Sequence, residues 1–454
     1  MTRTRTTSNK IEASTRKRLP QRIGKTQVAL LVRFLNLEPR FISSSPLAEW
    51  RSGDSSMYGM FYENGPYLLN PDGKTLRENP VSWNKFVNIL YIESPVGVGY
   101  SYSDDPNENA TLSDDNSMEE NYAALSDFVN NIFPEFQQRD LYVIDHRWST
   151  KGELPVKFKG MATANGLIDY SHNINSMMHI LYFHGLMPFS AYSNLLDTCC
   201  PVRSNEFECK FSEHIDWPTF PTPKYQNDSC FDTLVSLVLK YYLGSPNNGY
   251  QIYQDCYQQP VKPGVQNNTY PLSSNDPFLG YWCFMDDSLR TYMRQNIEDK
   301  YTKQRFTMRP YFDKAIEAKV KSLIYNGDTD LHCNHLGAEW FADEVATGNN
   351  LPVKQSRTEW YYQLDREYQK RMAGYQIKYG DYLDVITIKG AGHVSGADRP
   401  AQLFQLIYNF VNGNDYSTPV IVDPVDPTST PKAATHSLFF FALFVIFFYH
   451  GYYA

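Results

Sequence analysis

The chain has 454 residues, 42% of them hydrophobic and 15% aromatic, enough to bury a large core as one domain with an insertion or as two domains. That content excludes a chain that is mainly disordered. Its 42 Lys and Arg against 50 Asp and Glu give a formal net charge of −8, which offers no general attraction to nucleic acid.

Residues 1–44 form a basic, polar N-terminal segment. Its apolar run, Val28 to Val32, is too short for the centre of a signal peptide and is closed by Arg33, so no convincing signal peptide is expected. After Trp50 come Arg51-Ser52-Gly53-Asp54-Ser55-Ser56 and then Tyr58 to Leu76, with Glu63-Asn64-Gly65-Pro66 inside. Phe86 to Ile92 is short, apolar and rich in β-branched and aromatic residues, which predicts a strand buried on both faces of a parallel sheet. Pro95 stops it for want of an N–H, and Gly97 and Gly99 permit a tight loop, at the strand end where α/β proteins place their sites. Tyr122, Leu125, Phe128, Val129 and Ile132 recur at helical spacing, predicting a helix over 116–136 with Pro134 ending it. A strand follows at Asp140 to Ile144.

Residues 170–319 read as a long insertion with many Pro and Asn and helical pieces at Phe231 to Leu243 and Asp287 to Tyr301. Cys199, Cys200, Cys209 and Cys230 cluster there, with Cys256 and Cys283 beyond. No CxxC pair or paired His accompanies them, so a disulfide-stapled insertion in an oxidising compartment is expected rather than zinc, reduced core thiols being the alternative. Sequons at Asn109, Asn227 and Asn267 point the same way as glycosylation sites, although such tripeptides also arise by chance.

Val320 to Tyr325 is another buried strand, ending at Asn326-Gly327-Asp328-Thr329-Asp330, with Cys333 just after. Asp384 to Ile388 makes the last strand, Gly390-Ala391-Gly392-His393 follows, and Ala401 to Val411 reads as a closing helix. Residues 414–437 are a Pro/Thr-rich stalk and 438–454 a hydrophobic tail. The tail is short for a transmembrane helix of about 20 residues. It also fits a removable lipid-anchor signal, so membrane attachment through it is expected, against a fortuitous aromatic end.

Asn79 to Asp105, Tyr58 to Leu76, Leu323 to Phe341 and Ile388 to Pro400 together resemble the serine carboxypeptidases, the carboxypeptidase Y and cathepsin A-like peptidases of α/β-hydrolase fold. The resemblance runs from about Pro46 to Val411 and implies an α/β architecture: a central, mostly parallel sheet with a lid insertion. It divides the chain into a first core part over 45–169, a lid or cap over 170–319 and a second core part over 320–413. It also implies roles. Asp330 is the acid that orients His393, the general base; Glu63 helps hold the substrate's C-terminal carboxylate; Cys333 lines the substrate pocket.

Two of the family's motifs are damaged. The Asn-Gly-Gly-Pro-Gly turn, whose N–H groups make an oxyanion hole, is about three residues short after Trp50, and Asp54 places a carboxylate there. The nucleophile elbow, Gly-Glu-Ser-Tyr-x-Gly, belongs after Ile144, but the chain reads Asp145-His146-Arg147-Trp148-Ser149-Thr150-Lys151-Gly152 and resumes a family-like strand at Phe158 to Ala162. No Gly-x-Ser-x-Gly occurs anywhere, Ser149 lacks the flanking glycines, and the partner glutamate of Glu63 is not found. The expectation is a serine-type carboxypeptidase by resemblance that lacks its nucleophilic Ser and has little or no activity as written. The alternatives are a non-catalytic, membrane-tethered binding glycoprotein, or a product from which coding segments were skipped. Peptide or protein C-termini are the expected substrate or ligand, with no cofactor, no metal and no nucleic acid; a homodimer stays open. The secretory pathway is the expected location: lysosomal, extracellular or membrane-attached.

Overall fold

Runs of Val, Ile, Leu and Tyr pair into one nine-stranded sheet through the middle of the chain. The computed structural model describes residues 26–27, 30–33, 40–44, 56–70, 75–96, 98, 100–103, 112–144, 154–216, 222–243, 247–254, 301–363 and 369–422. The strands are β1 Leu30–Arg33, β2 Arg40–Ser44, β3 Asn88–Ile92, β4 Asp140–Ile144, β5 Lys157–Ala164, β6 Lys321–Gly327, β7 Val353–Tyr362, β8 Arg371–Tyr379 and β9 Leu383–Ile388. Their spatial order is β7-β8-β9-β6-β5-β4-β2-β3-β1. From β9 across to β3 every pair is parallel, while β7, β8 and β1 join the two edges antiparallel.

Parallel strands need crossovers, and helices supply them on both faces. They are α1 Asp114–Asp127, α2 Tyr170–Phe183, α3 Phe189–Cys199, α4 Ser229–Val238, α5 Arg309–Glu317, α6 His335–Gly348, α7 Ser395–Asp398 and α8 Pro400–Asn412. Successive strand residues point to opposite faces, so Leu323 and Tyr325 pack with Leu403, Ile407 and Phe410 of α8. Ile324, between them, meets Phe341, Ala342 and Val345 of α6, and Leu141 and Val143 of β4 meet Leu125 of α1.

Several boundaries differ from the sequence expectations. Strands β1 and β2 lie within residues 1–44, and β2 sits between β3 and β4, so the core begins well before residue 45. Of the run Val28 to Val32, short for a signal peptide, Leu30 to Val32 fall in the edge strand β1. Helix α5, inside 170–319, packs Phe312 and Ile316 against the sheet beside Ile324. At the other end Tyr416 is fully buried and donates its hydroxyl to Asp384, which carries the core past 413.

The helix expected over 116–136 ends at Asp127. A wide π-type turn, Phe128–Ile132, and a short 3-10 turn, Pro134–Phe136, follow. Pro134 cannot donate to a continuing helix, and the irregular path lets Phe128 stack near Phe133 and Phe136, with ring centroids 5.0 and 5.7 Å away. Helix α4 likewise stops at Val238 and passes into a π-type turn over Leu239–Leu243. Residues 287–300, Cys256, Cys283, Asn109, Asn267 and the tail 438–454 lie outside the described residues.

Helices α2 to α4 enclose a core of their own, with Met178, Leu181, Leu195, Phe211 and Leu234 all buried. The expected staples are present as Cys199–Cys230 and Cys200–Cys209. Asn227 of the second sequon is exposed just before α4, with φ +56. No helix among the described residues is long and apolar enough to cross a membrane.

Candidate active site

Register brings the site loops together. Gly327 of β6 pairs with Ile388 of β9, so the loops after these parallel strands leave the sheet side by side. A Cβ on Gly327 would lie 2.2 Å from the Ala391 carbonyl oxygen, so only glycine allows the approach. Thr329 then donates both its N–H (2.9 Å) and its hydroxyl (2.6 Å) to that carbonyl, and Asp328 accepts the Gly390 N–H at 2.6 Å.

Asp330 is 1% exposed. A buried carboxylate needs donors, and it has them: Oδ1 accepts the N–H groups of His332 (2.9 Å) and Cys333 (3.3 Å), while Oδ2 lies 2.9 Å from His393 Nδ1. His393 keeps one-fifth of its side chain exposed. Its backbone N–H donates to the Tyr250 carbonyl at 2.6 Å and its ring stands edge-on to Tyr250, centroids 5.0 Å apart. Such a pair fixes the imidazole's tautomer and can stabilise the imidazolium that forms when it takes a proton.

Glu63 arrives from the other side, at the end of a π-type turn, Gly59–Glu63. It retains some exposed surface yet is enclosed by protein, and burial raises its pKa to about 7, the His393 charge and the Gly396 N–H pulling it down and Asp398 pushing it up. A Cβ on Gly396 would sit 2.9 Å from Glu63 Oε2, which shows how closely α7 meets this carboxyl. The turn is pinned from the sheet, where Tyr91 of β3 donates to Asn64 Oδ1 at 2.7 Å.

Cys333 is buried, beside Leu167, Tyr170 and Phe306, and takes part in neither disulfide. The structure therefore brings Asp330, His393, Cys333 and Glu63 into one neighbourhood. The oxyanion turn at 51–55 and residues 145–153, Ser149 included, lie outside the described residues. Ser56 is fully buried, and its hydroxyl has no partner among the described residues.

Sequence reasoning missed the supports. Asp398 accepts the Gly392 N–H (2.7 Å) and Gln251 Nε2 (3.1 Å) through Oδ2, tying the His393 loop to the insertion; burial raises its pKa, the Gly392 N–H opposing. Gln251 also donates to the Gly390 carbonyl at 3.3 Å. Tyr250 and Gln251 carry no local motif, and nothing short of the fold points to them. Tyr58, Tyr62, Tyr250, Gln251, Val394 and Asp398 line a small open cleft next to the His393 loop.

The description "serine carboxypeptidase" matches the chain over residues 52–149 and 144–413. The chain belongs to the serine carboxypeptidase family. Its match falls into two stretches that overlap at 144–149. It is 28% identical to serine carboxypeptidase ctsa-4.1 of Caenorhabditis elegans over 442 residues, covering 85% of this chain and 88% of the relative. It is 29% identical to the lysosomal protective protein of Mus musculus over 430 residues, covering 82% and 85%. Among solved structures, the prohormone-processing carboxypeptidase Kex1 from Saccharomyces cerevisiae aligns with TM-score 0.60 at 17% identity, covering 88% of this chain and 89% of that one. The fold of this family member is thus the α/β-hydrolase fold, with a mostly parallel sheet covered by helices on both faces.

Proposed function

We propose that this carboxypeptidase-family chain recognises the C-termini of peptides, and that it keeps the acid–base half of a hydrolase without the serine. The observation that carries this is the Asp330–His393 pair at 2.9 Å, its buried acid held by two backbone donors, with the carboxyl of Glu63 close enough to feel the imidazole charge. In this reading Asp330 orients His393 as base, Cys333 borders the pocket, and Glu63 receives the terminal carboxylate. A glutamate with a pKa near 7 is protonated in mild acid and can donate a hydrogen bond to an anion; ionised, it repels one. Without a hydroxyl on a strand-to-helix elbow, no acyl-enzyme forms and turnover stays low.

The two disulfides and a lysosomal relative support a place in the secretory pathway, and exposed Asn227 is a site for glycan attachment. Residues 170–319 act as the lid in this reading, with Tyr250 and Gln251 bonded to the loop of His393. The tail 438–454 serves as membrane attachment in this reading, by its apolar run alone.

The test uses the full chain with labelled peptides. Binding of a free C-terminal acid is expected to be tighter at pH 5 than at pH 8 and lost on amidation of the terminus, with no hydrolysis above the buffer rate. Brisk release of C-terminal residues, or equal binding of acid and amide, overturns the reading. The break in the family match favours a second one, a skipped coding segment. Peptide-level mass spectrometry of the natural protein across Leu141 to Lys159 separates the two: a Gly-x-Ser-x-Gly inserted there makes the active enzyme the right description.

A further inference from the structure

The loop after β6 and the loop after β9 place a sulfur, a ring nitrogen and a carboxylate oxygen together, from Cys333, His393 and Asp330, all within 4.8 Å of one another. We infer that these three side chains form a site for a single thiophilic divalent ion of the zinc class. The donor set is one that borderline-soft ions favour, thiolate with imidazole and one carboxylate, and hard ions such as Mg²⁺ or Ca²⁺ do not. Another cluster, His214, Asp228 and Cys230, has no such capacity, because Cys230 is bonded to Cys199.

Charge balance favours occupation. Asp330 and Cys333 are each 1% exposed. A dication with one thiolate, one carboxylate and one neutral imidazole is neutral overall, so the assembled site carries no uncompensated charge in a dry setting. The ligands are also held from behind. Asp330 Oδ1 is fixed by the His332 and Cys333 N–H groups, and Asn326 Nδ2 donates to the Cys333 carbonyl at 2.9 Å. His393, one-fifth exposed, leaves an approach for the ion. Around the cluster stand the His332 ring, 5.7 Å from His393 with its Nδ1 on the Tyr242 hydroxyl, the Tyr250 ring, and the carboxyls of Glu63 and Asp398.

Binding has a fixed proton balance. The metal–sulfur bond forms as the thiol S–H gives up its proton, and the imidazole keeps its own proton on whichever nitrogen is not coordinated. One proton per ion is released above the imidazole pKa. With one ring nitrogen on the ion and the proton on the other, no imidazole lone pair is left to accept a proton, so the ion turns off the base of the acid–base pair. The site itself does not depend on peptide recognition.

The test is a Co²⁺ titration of the full chain freed of metal. The expected result is one equivalent bound, with a thiolate-to-cobalt charge-transfer band in the near ultraviolet, one proton released and displacement by Zn²⁺. Cys333→Ser is expected to lose the band and bind about tenfold or more weakly. His393→Gln keeps a donor for Asp330 but offers no ring nitrogen; it is expected to weaken binding similarly, and it decides the matter should the serine variant unfold. Absence of the band at one equivalent overturns the proposal. So does a band that persists in both variants, which places the sulfur ligand elsewhere in the chain.

Discussion

Glu63 has the same chemical identity as any surface glutamate, and its surroundings set its behaviour. Its pKa is about 7 in the fold against 4.5 in the unfolded chain, so between these values the folded protein holds a proton that the unfolded chain has lost. Stability from this carboxyl is present below pH 4.5 and is lost as pH rises through 7, by about 3 kcal/mol at the order-of-magnitude level. Glu63→Gln is therefore expected to melt higher than the parent at pH 8 and close to it at pH 4, by calorimetry at both values; an equal difference at both would sink the assignment. At this scale motifs at strand ends singled out Asp330 and His393, and the fold sets them 2.9 Å apart. The sequence was silent about Asp398 and Gln251, whose hydrogen bonds to the same loop join residues far apart in the chain, the Gln251 and Asp398 side chains meeting at 3.1 Å.

At the scale of elements, the helical insertion carries a second pH dependence of opposite sign. His179 of α2 is fully buried, its Nδ1 2.6 Å from the Tyr192 hydroxyl and its ring among Phe207, Phe211 and Trp340. Burial lowers its pKa to about 4, against 6.5 unfolded, with Glu206 opposing. Stability is thus complete above pH 6.5 and falls as pH drops towards 4, because the unfolded chain binds a proton there and the folded one does not. His179→Phe is expected to flatten the loss of melting temperature between pH 7 and pH 5 that the parent shows; parallel curves would refute it. Helix α2 was not foreseen from periodicity. The hairpin of β7 and β8 also passed unread, since Lys354 and Arg357 on its exposed side obscure an edge strand whose Trp360 is wholly buried.

Across the whole molecule, the ends of the core are where sequence and structure diverge most. A chain cut after residue 413 loses Tyr416, whose ring is fully buried and whose hydroxyl reaches Asp384, itself 3.1 Å from Lys321 Nζ. Removing a buried aromatic costs about 3–5 kcal/mol, so this cut is expected to lower the melting temperature sharply. A cut after residue 422 is expected to leave it nearly unchanged, and two equally stable truncations would return the boundary to 413. What the sequence by itself determined was local: buried strands from their apolar runs, the family from motifs in order, and the pairing capacity of a clustered cysteine set. Only the tertiary structure decided which distant segments share the sheet, why β1 and β2 belong to it, and which insertion residues brace His393. Strand partners are chosen by hydrogen bonds and packing between residues far apart in the chain, as Arg40 with Asp140 and Gly160 with Lys321, and no local pattern encodes a contact of that range.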